Sequence, residues 1–189
     1  MTTKNSPCIG HDPPIADGGK LREPKRSCGF LMSASKEGLS QRPAYSYRTD
    51  SNVPAFPDDR PILVFDGHCA LCSSFVRFVL QRDRTRRFRF LAAQSALGQA
   101  LYRHYGLDPK VFETNILLED GRAWLKSEGT LRIFVALGLP WSTAAISRAL
   151  PRGVRDGLYT YVANRRLRWF GSRDQCFCPA PNLADRFLG

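Results

Sequence analysis

The sequence predicts an α/β domain, and three features of its pattern predict it. A short apolar run, Pro61-Ile-Leu-Val-Phe65, stops at Asp66-Gly67 and passes directly into helical spacing, giving a strand, a tight turn and a helix start. A second strand and a second helix follow before Gly106. A hairpin centred on Asp120-Gly121 and one more helix then complete the order βαβα-ββα. The chain has 189 residues, 43% of them hydrophobic, which suits one ordinary domain with an appended tail.

Residues 1–58 are expected to form a disordered basic tail, because Pro, Gly, Ser, Lys and Arg dominate and no apolar period is sustained. The domain is expected to span 59–189. In its first helix Cys72, Phe75, Val76, Val79 and Leu80 mark an apolar stripe, with Ser73, Ser74, Arg77 and Gln81 opposite. Phe88–Leu91 is the second strand, and Ala96, Leu97, Ala100, Leu101, His104 and Tyr105 mark the second helix. This βαβ unit implies a parallel strand pair. Residues 107–113 connect to strands at 114–118 and 122–126, which form an antiparallel hairpin. Ser127 is expected to cap the next helix, with Leu131, Phe134, Val135 and Gly138 on its inner side and Leu139-Pro140 as its stop. Two further helical stretches, Trp141 to Leu150 and Pro151 to Gly171, form a helical C-terminal extension. In the second, Val154, Leu158, Tyr161 and Val162 make the expected buried stripe, and Tyr159, Trp169 and Phe170 are assigned to the core with Tyr161. A short segment, Leu183 to Leu188, ends the chain.

A formal charge of +11 and a pI near 9.8 raise the question of an anionic partner. Arginine outnumbers lysine 22 to 6, and five arginines lie between positions 82 and 89. Such a bias also arises from a GC-rich genome, so the expectation is weak attraction to anions without a specific nucleic acid partner. No apolar run approaches the ~20 residues of a membrane span. Nor does the N-terminus carry the apolar segment of a secretory signal, so a cytoplasmic location is expected. In a reducing compartment six cysteines point to catalysis or metal binding rather than to a disulfide framework.

The pair Cys69-Ala-Leu-Cys72 carries the chemistry. A cysteine at a helix start faces unpaired backbone N–H groups and the positive end of the helix dipole, both of which favour thiolate over thiol. Cys69 is therefore expected to be the acidic, attacking thiol, and Cys72, one turn on and facing the apolar stripe, the buried resolving partner. Asp66 has two readings: a turn-forming residue before Gly67, or a proton acceptor for Cys72 during resolution. His68 is read as an exposed polar neighbour in preference to a thiolate-stabilising imidazolium. Cys176 and Cys178 could join the first pair in a zinc site, but their C-x-C spacing is unusual for one, and the strand-to-helix setting of Cys69 and Cys72 favours redox chemistry. Cys176 remains a candidate third redox thiol and Cys178 a small apolar residue.

The order βαβα-ββα with C-x-x-C at the first helix is the layout of the thioredoxin fold. More narrowly, Asp66-Gly-His-Cys69-Ala-Leu-Cys72 resembles the D-x-x-C-x-x-C signature of the DCC family of thiol-disulfide oxidoreductases, and Tyr161-Val-Ala-Asn-Arg-Arg-Leu-Arg-Trp-Phe-Gly171 with Arg173 to Cys176 resembles that family's C-terminal segment. The resemblance covers about 61–188. It implies that Cys69 and Cys72 are the redox pair with Asp66 as the leading acid, that a thiol or disulfide is the substrate, and that no cofactor or metal is held. Thr114, before the third strand, stands where better-known thioredoxins place a cis-proline, so substrate handling is expected to differ from theirs. The rival reading is a binding module, either zinc-stabilised or basic, the latter using Arg82 to Arg89 and Arg165 to Arg173.

Overall fold

The computed structural model describes residues 42–172, 177 and 179–188; the expected disorder of residues 1–41 and the expectations for Cys176 and Cys178 lie outside them. Five strands form one sheet in the order β4-β3-β1-β2-β5. They are β1 (Ile62–Phe65), β2 (Arg89–Ala92), β3 (Ile116–Glu119), β4 (Arg122–Leu125) and β5 (Phe187–Leu188). The helices are α1 (Ala70–Arg82), α2 (Ala96–His104), α3 (Lys126–Ala136) and α4 (Arg152–Phe170). β1 runs parallel to β2 in the register Ile62 to Arg89 and antiparallel to β3, with Val64 opposite Ile116. The β1-α1-β2-α2-β3-β4-α3 order is that of a thioredoxin-like domain with a helical C-terminal extension. Beyond the expected elements, the chain returns after α4 to add β5 parallel to β2.

Alternation along β1 divides the core between the two faces of the sheet. Ile62 and Val64 join Leu91, Leu101, Tyr102, Ile116 and Leu118 on the α2 side. Leu63 and Phe65 join Cys69, Cys72, Val76, Val79, Phe90 and Ile133 on the side of α1 and α3. The β3–β4 turn places both Asp120 (φ 51°) and Gly121 (φ 72°) in the left-handed region, as a two-residue hairpin turn requires. A Cβ on Gly121 would meet the Tyr45 ring at 2.5 Å.

That contact shows where the folded unit begins. Residues 42–58, assigned to the tail, pack on the domain. Tyr47 is only 2% exposed within the α2-side core, and Val53 and Phe56 lie against the same cluster. Tyr47 donates its hydroxyl hydrogen to Asp58 (2.6 Å), Asp50 lies 2.7 Å from His104 Nδ1, and Tyr45 N–H donates to Gly121 O (2.8 Å). Polar residues between the aromatics hide the segment from any periodicity test, because it crosses the core as an irregular strap.

Other corrections concern which face is buried. Ser73, placed on the outer side of α1, is buried and donates to Gly67 O (3.3 Å). Ser127 does not cap α3; Leu125 holds that position without a side-chain bond, Ser127 Oγ bonds Asp156 of α4, and Lys126 N–H donates to Thr114 Oγ1 (3.1 Å). The buried side of α3 carries Gly129, Leu131 and Ile133, while Val135 is exposed. Trp141–Ala149 winds as 3-10 turns. On α4 most of the expected stripe faces outward: Val154, Leu158 (66% exposed) and Tyr161 face solvent, as do Trp169 and Phe170, while Val162 is half-buried. The inner face turns Tyr159, Ala163 and the buried Arg166 toward the domain.

The arginine cluster after α1 is largely committed within the molecule. Arg86 pairs with Asp185 (2.7 Å), Arg87 with Glu119 (3.1 Å) and Arg89 with Asp59, while Arg82 lies over the Trp141 ring (5.4 Å). Asp83 and Arg186 form a buried ion pair that ties β5 to the end of α1. Few of these cations are left for phosphates, which weakens the basic-module reading.

Because Tyr47 fills a core site, Tyr47→Ala is expected to cost about 3–5 kcal/mol, the usual loss for a buried large aromatic. Denaturant unfolding measures it. A loss below about 1 kcal/mol would show that the strap does not pack as described.

Candidate redox site

The turn after β1 is built around Asp66. Its Oδ1 accepts from His68 N–H (3.0 Å) and from Gln94 Nε2 (2.7 Å), while Gln94 Oε1 accepts from Gly67 N–H (3.1 Å). Gln94, just beyond β2, thereby clamps both residues of the Asp-Gly turn. The chain leaves the turn with Cys69 as the N-cap of α1, and Cys69 Sγ accepts from Cys72 N–H at 3.3 Å. A sulfur here occupies the place of the usual capping oxygen and receives one of the helix's unpaired donors.

Arg166 closes the site from the far end of the chain. Its Nη2 lies 3.3 Å from Asp66 Oδ2 and donates to Phe112 O (2.6 Å). The Arg166 and Asp66 side chains are both buried. Burial opposes the arginine's charge, but the two cysteines and Asp66 outweigh it and hold the guanidinium protonated.

The thiols are pushed apart. A hydrogen bond from the Cys72 side chain, aided by the Cys72 backbone N–H and by Arg166, brings Cys69 down to about 6 against the opposing effects of burial and of Asp66. The same bond, burial and the neighbouring Cys69 drive Cys72 strongly upward. Both residues are buried, Cys69 at 0% and Cys72 at 4% exposure. Over Cys69 lies the backbone that leaves α4: Ser172 bridges to Cys69, and Ala70 N–H donates to Gly171 O (3.4 Å).

The third wall is Thr114-Asn115, ahead of β3, where a cis-proline was noted as missing. Hydroxyl groups pin this stretch instead. Tyr102 donates to Thr114 O, and Asn115 N–H donates to Tyr159 Oη (3.3 Å), whose ring comes from α4.

Of the residues expected at the site, Cys69, Cys72 and Asp66 come together, and His68 is exposed beside them. Asp66 makes the turn contact expected of an Asp-Gly pair and adds the ion pair. Arg166 and Gln94 were not singled out from the sequence, and Tyr159 was assigned to the core rather than to the site. Arg166 stands within the Tyr161–Gly171 segment quoted for the family resemblance, but a cation on a helix whose more apolar stripe lay elsewhere gave no reason to turn it inward. Among the described residues no group of three His, Cys, Asp or Glu side chains could hold a metal ion, and no helix is long and apolar enough to cross a membrane.

A thioredoxin-like sheet thus holds two buried thiols at the start of its first helix. The chain belongs to the DCC1-like thiol-disulfide oxidoreductase family, whose model matches residues 63–172. It is 36% identical over 127 residues to YuxK of Bacillus subtilis (strain 168), covering 67% of this chain and 93% of YuxK. It is also 42% identical over 120 residues to the DCC family protein At1g52590, chloroplastic, of Arabidopsis thaliana, covering 63% of this chain and 70% of that protein. No solved structure matches significantly.

The lowered Cys69 value sets a pH dependence of stability. A thiol that ionises at about 6 when folded and near 9.0 when unfolded stabilises the reduced fold fully above the latter and not at all below the former. Stability of the reduced protein should therefore rise between pH 6 and 9, and Cys72, shifted the other way, should reverse the trend above that window. Guanidinium unfolding across this range checks it, with Cys69→Ser expected to flatten the rise. An equal slope in that variant would show that Cys69 is not the group responsible.

Proposed function

We propose that the chain is a dithiol–disulfide oxidoreductase working through Cys69 and Cys72. The observation that carries this reading is the convergence on Cys69 of a helix N-terminal N–H, the Cys72 side chain and a buried arginine. In the reducing direction Cys69 thiolate attacks a disulfide R–S–S–R′, forming Cys69–S–S–R and releasing R′S⁻. Cys72 then loses its proton and attacks Cys69 Sγ, which releases RS⁻ and leaves the Cys69–Cys72 disulfide. Two electrons have moved from the pair to the substrate, and the opposite direction reverses each step. Since Cys69 is buried, substrate reaches it when the Gly171–Ser172 backbone moves aside.

Asp66 acts here as a positioning residue. His68 N–H, Gln94 and Arg166 occupy its carboxylate, so it orients Arg166 and shapes the turn, and the proton that Cys72 gives up balances the released R′S⁻. A thiol or disulfide is the substrate class, no cofactor is needed for the exchange, and a reducing compartment such as the cytoplasm supplies the electrons.

Cys72→Ser should trap a mixed disulfide on Cys69, seen as an added mass removable by dithiothreitol, whereas Cys69→Ser should trap none and lose turnover. Arg166→Met should move the midpoint of the pH–rate profile upward by about one unit, so that exchange slows more at pH 6.5 than at pH 9. Absence of any trapped adduct, or turnover surviving in both cysteine variants, would overturn the reading.

A further inference from the structure

We propose that the cavity beside Cys72 is a specificity pocket for one arm of the substrate, and that it takes a compact apolar group. The inference rests on the oxidoreductase reading and names the substrate arm that this site prefers. The cavity measures about 180 Å³ and opens between α1, α3, α4 and the Asn115 backbone ahead of β3. Leu71, Phe75, Val162 and Ala163 make its walls apolar, and Cys72 forms part of its surface. A group held there lies against Cys72, the resolving thiol one helical turn from Cys69, so the pocket reads whatever is attached near the reacting sulfur.

Size and polarity decide what fits. An apolar cavity of about 150 Å³ holds a benzene ring, so this one, open to solvent on one side, seats a phenyl or isobutyl group. An apolar wall of this kind asks for an apolar group on the ligand. Its charged lining residue is Arg166, already paired with Asp66. A cationic arm is repelled there, and a carboxylate arm gives up its hydration for a guanidinium that another acid holds. The substrate class that results is a disulfide with a leucine-like or phenylalanine-like residue beside its cysteine, in preference to glutathione disulfide.

The test measures kcat/KM of the full chain for peptide disulfides that differ only beside the cysteine, with 2-hydroxyethyl disulfide as a featureless reference. Leucine or phenylalanine neighbours should exceed serine, glutamate and lysine neighbours by about tenfold or more, chiefly through KM. Ala163→Phe, which fills the cavity, should bring that ratio close to one, and Thr130→Leu narrows the same space from α3 if the first variant does not fold. Turnover of the reference with no preference among the peptides would overturn the pocket and leave the oxidoreductase reading standing. If no disulfide reacts, the activity reading fails. Binding of benzyl alcohol to the Cys69→Ser chain, followed by NMR shifts at Thr130, Asn115 and Ala163, then decides the pocket alone, and an absence of shifts there overturns it.

Discussion

Asp66 and Arg166 stand 100 residues apart in the chain and 3.3 Å apart in the fold. Both are buried, and burying either alone would be costly: removing one member of such a pair typically costs about 3–5 kcal/mol because the other charge stays in place unpaired. Each has a second tie. Asp66 is held by His68 and Gln94 at the turn after β1, and Arg166 is held by the Phe112 carbonyl ahead of β3. The pair therefore joins α4 to the two loops that border the thiols. In the same contact it offsets the negative charge of Asp66, which on its own would oppose a thiolate on Cys69.

A tie of this kind explains why the domain carries an extension. The βαβ and ββα halves supply a sheet with α1 and α3 on one face, enough to place Cys69 at a helix start. They supply no cation. α4 brings Arg166 to the thiols and Tyr159 to Asn115, and the chain then runs past Cys69 and ends as β5, anchored by Asp83 and Arg186. Hydroxyls from Tyr102 and Tyr159 fix the stretch before β3 that a proline would otherwise have stiffened. The two solutions differ physically, since a stretch held by hydroxyls borrows its rigidity from α2 and α4 rather than from its own backbone.

What could be read from the sequence divides along physical lines. β1, α1 and the hairpin were legible because local signals dominate there: an apolar run ending in Asp-Gly, a 3.6-residue period, and a turn dipeptide that needs left-handed φ. Cys69 and Cys72 were legible for the same reason, since their chemistry follows from position on one helix. The faces of α3 and α4 were not. A hydrophobic stripe reports which side carries more carbon, whereas the side of α4 that packs was settled by one long-range ion pair and a tyrosine hydroxyl. The Tyr45–Phe56 strap was missed because it has no period to find; its burial depends on a groove made by residues 60 positions away. Arg166 was hidden by the general rule that arginines lie outside, which fails where a buried acid awaits them.

Charge placement also bears on which direction of exchange is favoured. The hydrogen bonds and the guanidinium around Cys69 act on a thiolate and are lost when that sulfur enters a neutral disulfide. They therefore stabilise the reduced pair over the oxidised one, and a dithiol stabilised in its reduced form is the stronger oxidant. Cys72 does not counter this at neutral pH, because a thiol shifted upward stays protonated there and carries no charge in either redox state. Arg166 keeps Asp66 as its partner when the thiolate disappears, so oxidation leaves no unpaired buried charge behind. In the proposed cycle this bias favours re-reduction of the Cys69–Cys72 disulfide by the thiols of the compartment, to a degree set by how far Cys69 lies below an ordinary thiol. The counterweight is the Ser172 bridge to Cys69, which shields the pair from solvent and makes access, as well as potential, part of what selects a partner.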